Sequence, residues 1–255
     1  MTALDTLSRH LDAREAAGRP LALWWRDDDL ETPSDALSVC LAALDAAGIA
    51  AAFAAVPAGL TPAAVAALGG SRVVLFVHGW AHVNHAGADE KKSEFGANRP
   101  LADRLAEIAR GWDRVREIGG DRAVPCFVPP WNRIGDDLLP ALSGTGIGAL
   151  SAFASPKRRP PAASVPRLDT HLDLIDWRGS GAPISGEALA TRIVQHDGVD
   201  GPVGILSHHR VTGPGAWADW RPVLRLLSAH PTVRWLDPGE ALTRAGTNET
   251  ERRIG

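Results

Sequence analysis

Three carboxylates stand in a row at Asp27, Asp28 and Asp29, and two imidazoles follow at His78 and His82. Histidines at i and i+4 face the same way if the chain makes a helical turn between them, so both can reach one metal ion. Two histidines plus one carboxylate leave coordination positions open, as catalytic zinc sites do. The same donor set suits non-haem iron(II). Three adjacent carboxylates are costly to bury unpaired. Either they form a solvated turn or helix cap, or two of them serve one site, one as metal ligand and one as general base. Neighbours on a strand point to opposite faces. Two adjacent aspartates therefore share a site only where the strand breaks or twists, which the following Glu31-Thr32-Pro33 permits.

The elements that must position these residues alternate along the chain. Strands are expected at 21–26, 49–56, 72–77, 123–128, 148–153, 172–177, 203–207 and 233–236. Helices are expected at 33–47, after Thr61, and at 100–118, 136–142, 185–196 and 217–230. The helix at 100–118 carries Leu101, Leu105, Ile108, Trp112 and Val115 at helical spacing and stops at Gly119. Near-continuous apolar strands separated by helices predict a parallel sheet covered by helices. About eight such units predict a single-domain, distorted (β/α) barrel of seven or eight parallel strands over residues 1–242, with a polar tail at 243–255. No glycine-rich phosphate loop follows the first strand.

Polar clusters recur at the C-terminal ends of these strands, the rim where parallel barrels build their sites. They are Arg26 to Asp29, His78 to His82, Pro129-Pro130-Trp131-Asn132, the group Asp173, Asp176, Trp177 and Arg178, and His208-His209. His85 and Glu94 lie past the second cluster, lining the cleft or belonging to a solvated loop. Lys157-Arg158-Arg159 reads as a solvated basic loop, with an anionic substrate as the alternative.

Bulk properties narrow the class. At 255 residues and 45% hydrophobic, the chain can bury a substantial core. A net charge of −3 gives no reason to expect nucleic acid or an anionic membrane as partner. With only Cys40 and Cys126 there is no disulfide framework, so a reducing compartment is expected. Charges within the first turns argue against a secretory signal, and no run approaches the roughly 18 apolar residues of a membrane span. A cytoplasmic location without an integral membrane segment is the expectation.

Taken in order, the clusters resemble the five motifs of the polysaccharide deacetylase family, the NodB-type carbohydrate esterases. Trp25-Arg26-Asp27-Asp28-Asp29 occupies T-F-D-D-G. His78-Gly79-Trp80-Ala81-His82 has the spacing of H-S/T-x-x-H. Val128-Pro129-Pro130-Trp131 matches R-x-P-Y/W except at the arginine. Asp173-Leu174-Ile175-Asp176-Trp177 matches D-x-x-D-W, and Leu206-Ser207-His208 matches L-x-H.

The resemblance implies a distorted barrel that removes an acetyl group from an N-acetylated sugar or glycan. It implies a divalent metal, zinc first and cobalt, nickel, manganese or iron as alternatives, held by Asp28, His78 and His82. Asp27 is then the base and His208 the acid, with His209 the competitor for that role. Pro130, Trp131, Asn132 and Trp177 shape the substrate pocket. Asp173, Asp176 and Arg178 stand behind them, as hydrogen-bonding support or as ion-pair partners. Val128 occupies the family's arginine position, and Arg26, Arg133 and Arg178 are the cations available to replace it. Three other readings are a sugar-binding member without turnover, a metal-free barrel glycosidase built on paired carboxylates, and an iron(II) oxygenase.

Overall fold

The computed structural model describes residues 1–154, 163–196 and 201–245. The elements run α1 (Ala3–Ala16), β1 (Leu21–Leu30), α2 (Asp35–Ala46), β2 (Ala51–Ala55), α3 (Pro62–Ala67), β3 (Val73–His78), α4 (Leu101–Gly119), β4 (Ala123–Val128), β5 (Ala149–Leu150), β6 (Leu172–Asp173), α5 (Gly186–Gln195), β7 (Val203–Ser207), α6 (Pro214–Ala229) and β8 (Val233–Trp235). Four helices open on hydroxyl caps at Thr2, Ser34, Thr61 and Ser185, each contributing about 1 kcal/mol.

All strand pairs are parallel, in the order β5-β4-β3-β2-β1-β7-β6, with β8 also on β1. The stretch from Pro166 to Leu174 joins the two edges. Its first half hydrogen-bonds Leu150 and Ala152, and its second half bonds Gly204 and Leu206. The result is the expected distorted barrel. Long strands were expected at 148–153 and 172–177, but regular pairing there lasts two residues each, because the joining segment pairs first with one edge and then with the other. The helix expected at 136–142 is a 3-10 helix from Asp136 to Thr145.

Alternation along each strand sorts the core into two clusters. Trp24, Ala52, Ala54, Phe76, Cys126 and Val128 fill the barrel interior, and the small alanines of β2 leave room for the bulky Trp24 and Phe76. Leu23, Trp25, Ala51, Phe53, Leu75, Val77 and Ile205 face outward and pack beneath the helices.

α1 has no counterpart among the expected elements. Its charges masked a helix that buries only Leu7, Leu11 and Arg14. The expected tail begins inside a helical stretch at 238–245. Residues 246–255 and the Lys157-Arg158-Arg159 run lie outside the described residues. Among those described, no helix is long and apolar enough to cross a membrane.

Candidate metal centre

β1 stays a regular strand through the first two aspartates, so its parity decides their fates. Arg26 and Asp28 continue the interior row begun by Trp24. Asp27 continues the outer row and lies 3.8 Å from Cys40 Sγ of α2. The pairing of β1 with β2 then slips between Asp28 and Leu30, and Asp29 takes φ 75°. This is a β-bulge, which re-aims one side chain, and it delivers Asp29 to the interior rim beside Asp28.

Asp29 Oδ1 lies 3.3 Å from His78 Nε2 and 3.5 Å from His82 Nε2. One ligand atom from each of the three residues lies within 4.8 Å of the others. His78 Nδ1 is 3.0 Å from the Val128 carbonyl. That bond places the proton on Nδ1 and leaves Nε2 free to ligate, the outer support metal-binding histidines usually have. The donor set therefore fits a divalent cation with open positions. Burial pushes the Asp29 carboxyl up, but the His78 hydrogen bond and the His78, His208 and His82 rings reverse this and hold it well below the carboxylate range. Burial lowers His78, and the Asp28 and Asp29 carboxylates more than offset it, so His78 titrates above its usual value. Burial and the neighbouring His78 leave His82 below its own.

The loop between the two histidines is not a helical turn. It turns at Gly79 (φ 62°) and His82 (φ 55°). Glu94, 1% exposed, accepts from the backbone N–H of Trp80 (3.2 Å) and Ala81 (2.8 Å). A Cβ at position 79 would lie 2.1 Å from Glu94 Oε2 and 2.5 Å from Pro130 Cγ. Trp131 lies against the His82 ring, with centroids 4.4 Å apart. The non-glycine residues at positive φ are Asp29, His82, Trp131 and Asn132 among those described. All four sit at this rim, as strained backbone tends to cluster at functional sites.

Arg26 is fully buried and forks onto Asp28, Nε to Oδ1 at 2.8 Å and Nη2 to Oδ2 at 3.1 Å. Its remaining N–H groups reach Ser151 Oγ and Asn132 Oδ1, both at 2.8 Å. Two-point guanidinium–carboxylate pairs fix geometry as well as charge. His208 Nε2 lies 4.0 Å from Asp28 Oδ2, and its Nδ1 lies 4.0 Å from Asp173 Oδ1. Trp177 meets the His208 ring edge-on at 5.1 Å while donating its indole N–H to Asp173 (3.0 Å). Burial raises the Asp173 carboxyl above its usual value.

No family model and no curated protein matches the sequence. Solved structures do match. A Mycobacterium smegmatis protein assigned to the polysaccharide deacetylases superposes with a TM-score of 0.68 at 14% identity, over 90% of this chain and 92% of that one. This chain shares the fold of that solved polysaccharide deacetylase. A family 4 carbohydrate esterase from Streptomyces lividans, solved with acetate, gives a TM-score of 0.55 at 18% identity over 83% and 90% of the two chains. A family 4 acetyl xylan esterase from Clostridium thermocellum, solved with a cobalt ion, gives 0.50 at 17% over 80% and 83%.

Within this deacetylase fold the first motif sits one residue later than the sequence suggested. Asp29, not Asp28, joins His78 and His82. Asp28, not Asp27, faces the rim beside His208. The physical reason is strand parity followed by the bulge. Arg26 is the cation nearest the carboxylates. Arg133 instead donates to the Lys92 carbonyl, and Arg178 is exposed. Pro130, Trp131 and Asn132 lie at the rim as expected, and so does Asp173. Trp177 is 53% exposed at the mouth. Asp176 faces away, capping the turn at Gly179 and Ser180. His85 is exposed on its loop. His209 turns outward to Asp27. The alternation Trp24, Arg26, Asp28 was the sequence signal for the Arg26–Asp28 pair. The bulge at Asp29 had none.

Proposed function

We propose that this protein is a metal-dependent deacetylase that hydrolyses the acetamide of an N-acetylated sugar or glycan. The observation that carries the reading is one rim holding a two-histidine, one-carboxylate donor set, an arginine-clamped carboxylate and an imidazole 4.0 Å from that carboxylate. Asp29, His78 and His82 would hold a divalent cation, with zinc the best match to this donor set and iron(II) a chemically allowed alternative. When bound, the cation supplies Lewis acidity at the acetyl carbonyl and acidifies the attacking water.

Asp28 takes the proton from that water as oxygen attacks the carbonyl carbon. Arg26 holds Asp28 in place through its two-point hydrogen bond. His208 gives a proton to the amide nitrogen as the carbon–nitrogen bond breaks, because an amine leaves poorly as an anion. The products are acetate and a free amine. Trp131 and Trp177 flank the mouth and would border the acetyl group and the sugar ring. The likeness in fold to carbohydrate esterases, one solved with acetate and another with cobalt, supports this reading.

The test is acetate release from N-acetylglucosamine oligomers by metal-loaded protein, with a chelated control. Release that is lost on chelation and regained with a divalent metal is expected. Undiminished hydrolysis in the chelated protein would favour the metal-free glycosidase scheme and sink this one.

A further inference from the structure

His208 is held unusually for a group meant to deliver a proton. Its Nδ1 is buried without a hydrogen-bond partner, and its nearest carboxylates are 4.0 Å away. The ring is not tethered by its own polar atoms, so apart from the edge-on packing of Trp177 its position comes from the backbone that carries it.

That backbone is gripped from the other side of the sheet. At the end of β7 and just beyond it, Leu206 and His208 face the interior, while Ser207 and His209 face outward. Asp27 pairs in register with Ser207, and its outward carboxylate meets both flanking residues. Oδ2 accepts from Ser207 Oγ at 2.5 Å. Oδ1 accepts from the His209 backbone N–H at 3.3 Å, and it also bonds His209 Nδ1. Trp25 Nε1 donates to Ser207 Oγ at 2.8 Å and completes the row. Asp27, Ser207 and His209 are all at most 1% exposed. A carboxylate in that layer is costly unless satisfied, and nearly all of its bonding capacity goes to the two neighbours of His208.

We propose that Asp27 is a positioning residue for His208, clamping Ser207 and His209 so that the imidazole between them points into the rim. The inference rests on the reading of His208 as the proton donor. Misplacing a catalytic group by about 1 Å costs roughly 10²-fold. The loss should fall on substrates whose leaving group needs a proton and spare those whose leaving group does not.

Asp27→Ala and the milder Asp27→Asn are compared with wild type on an N-acetylglucosamine oligomer and on 4-nitrophenyl acetate. Metal content and the ring nitrogen NMR signals of His208, assigned by their loss in His208→Gln, are measured alongside. Metal content should hold. Turnover of the amide should fall roughly 10²-fold in Asp27→Ala and less in Asp27→Asn. Turnover of the aryl ester should stay within about threefold, because nitrophenolate leaves unprotonated. The His208 ring signals should shift and broaden. Equal losses on both substrates, or His208 signals identical to wild type, overturn the proposal. If Asp27→Ala does not fold, Asp27→Asn carries the same test. If wild type hydrolyses neither substrate, the functional reading fails on its own, and the His208 signals still decide the clamp.

Discussion

Arg26 and Asp28 stand two residues apart on one strand and form a buried two-point ion pair, 2.8 and 3.1 Å long. Strand alternation puts both on the interior face, so the cation that orients the rim carboxylate comes from its own strand. Val128, at the position the motif resemblance reserves for arginine, is instead packed in the barrel interior.

Removing the fork should disable the carboxylate without emptying the metal site. Arg26→Met is expected to lower kcat on an N-acetylated oligomer by about 10² and leave metal content unchanged. Arg26→Lys, which cannot bond at two points, should fall between. Wild-type turnover in Arg26→Met would remove the arginine from the mechanism.

The two rim aspartates should separate by readout. Asp29→Asn and His78→Ala are expected to lose metal, measured by elemental analysis after dialysis. Asp28→Asn should keep metal and lose about 10²- to 10⁴-fold in turnover. Stoichiometric metal in Asp29→Asn would refute the ligand assignment.

Gly79 shapes the loop between His78 and His82. Alanine there meets both a positive φ and a Cβ 2.1 Å from Glu94 Oε2. Gly79→Ala should cost about 1–3 kcal/mol in denaturant unfolding and weaken metal binding. A variant as stable as wild type would mean the loop is free to rearrange.

Stability should carry a pH signature from the outward pair. Burial lowers His209, but the charge of Asp27 and their hydrogen bond reverse this and raise it above its usual value. A group with a raised folded-state pKa contributes stability that is fully present below its unfolded value of about 6.5 and lost as pH rises through the folded one. Wild type should therefore lose more stability than His209→Gln between pH 6 and pH 9, measured by chemical denaturation. Parallel pH profiles would show that the pair does not titrate in this range.

The sequence by itself determined the layer architecture and the rim. Apolar strands alternating with capped helices require a covered parallel sheet, and Asp173, His78 and His208 sit at strand ends wherever the exact boundaries fall. It also held the Arg26–Asp28 partnership, since i and i+2 on a strand share a face. Tertiary structure alone decided which aspartate meets the histidines. A bulge is a local mismatch between β1 and its partner β2, so it depends on how two distant segments pair. Asp27 shows the same limit. Three identical side chains in a row differ only in what each one faces, and only the packed sheet sends the first to Ser207 and His209, the second to Arg26 and the third to His78 and His82.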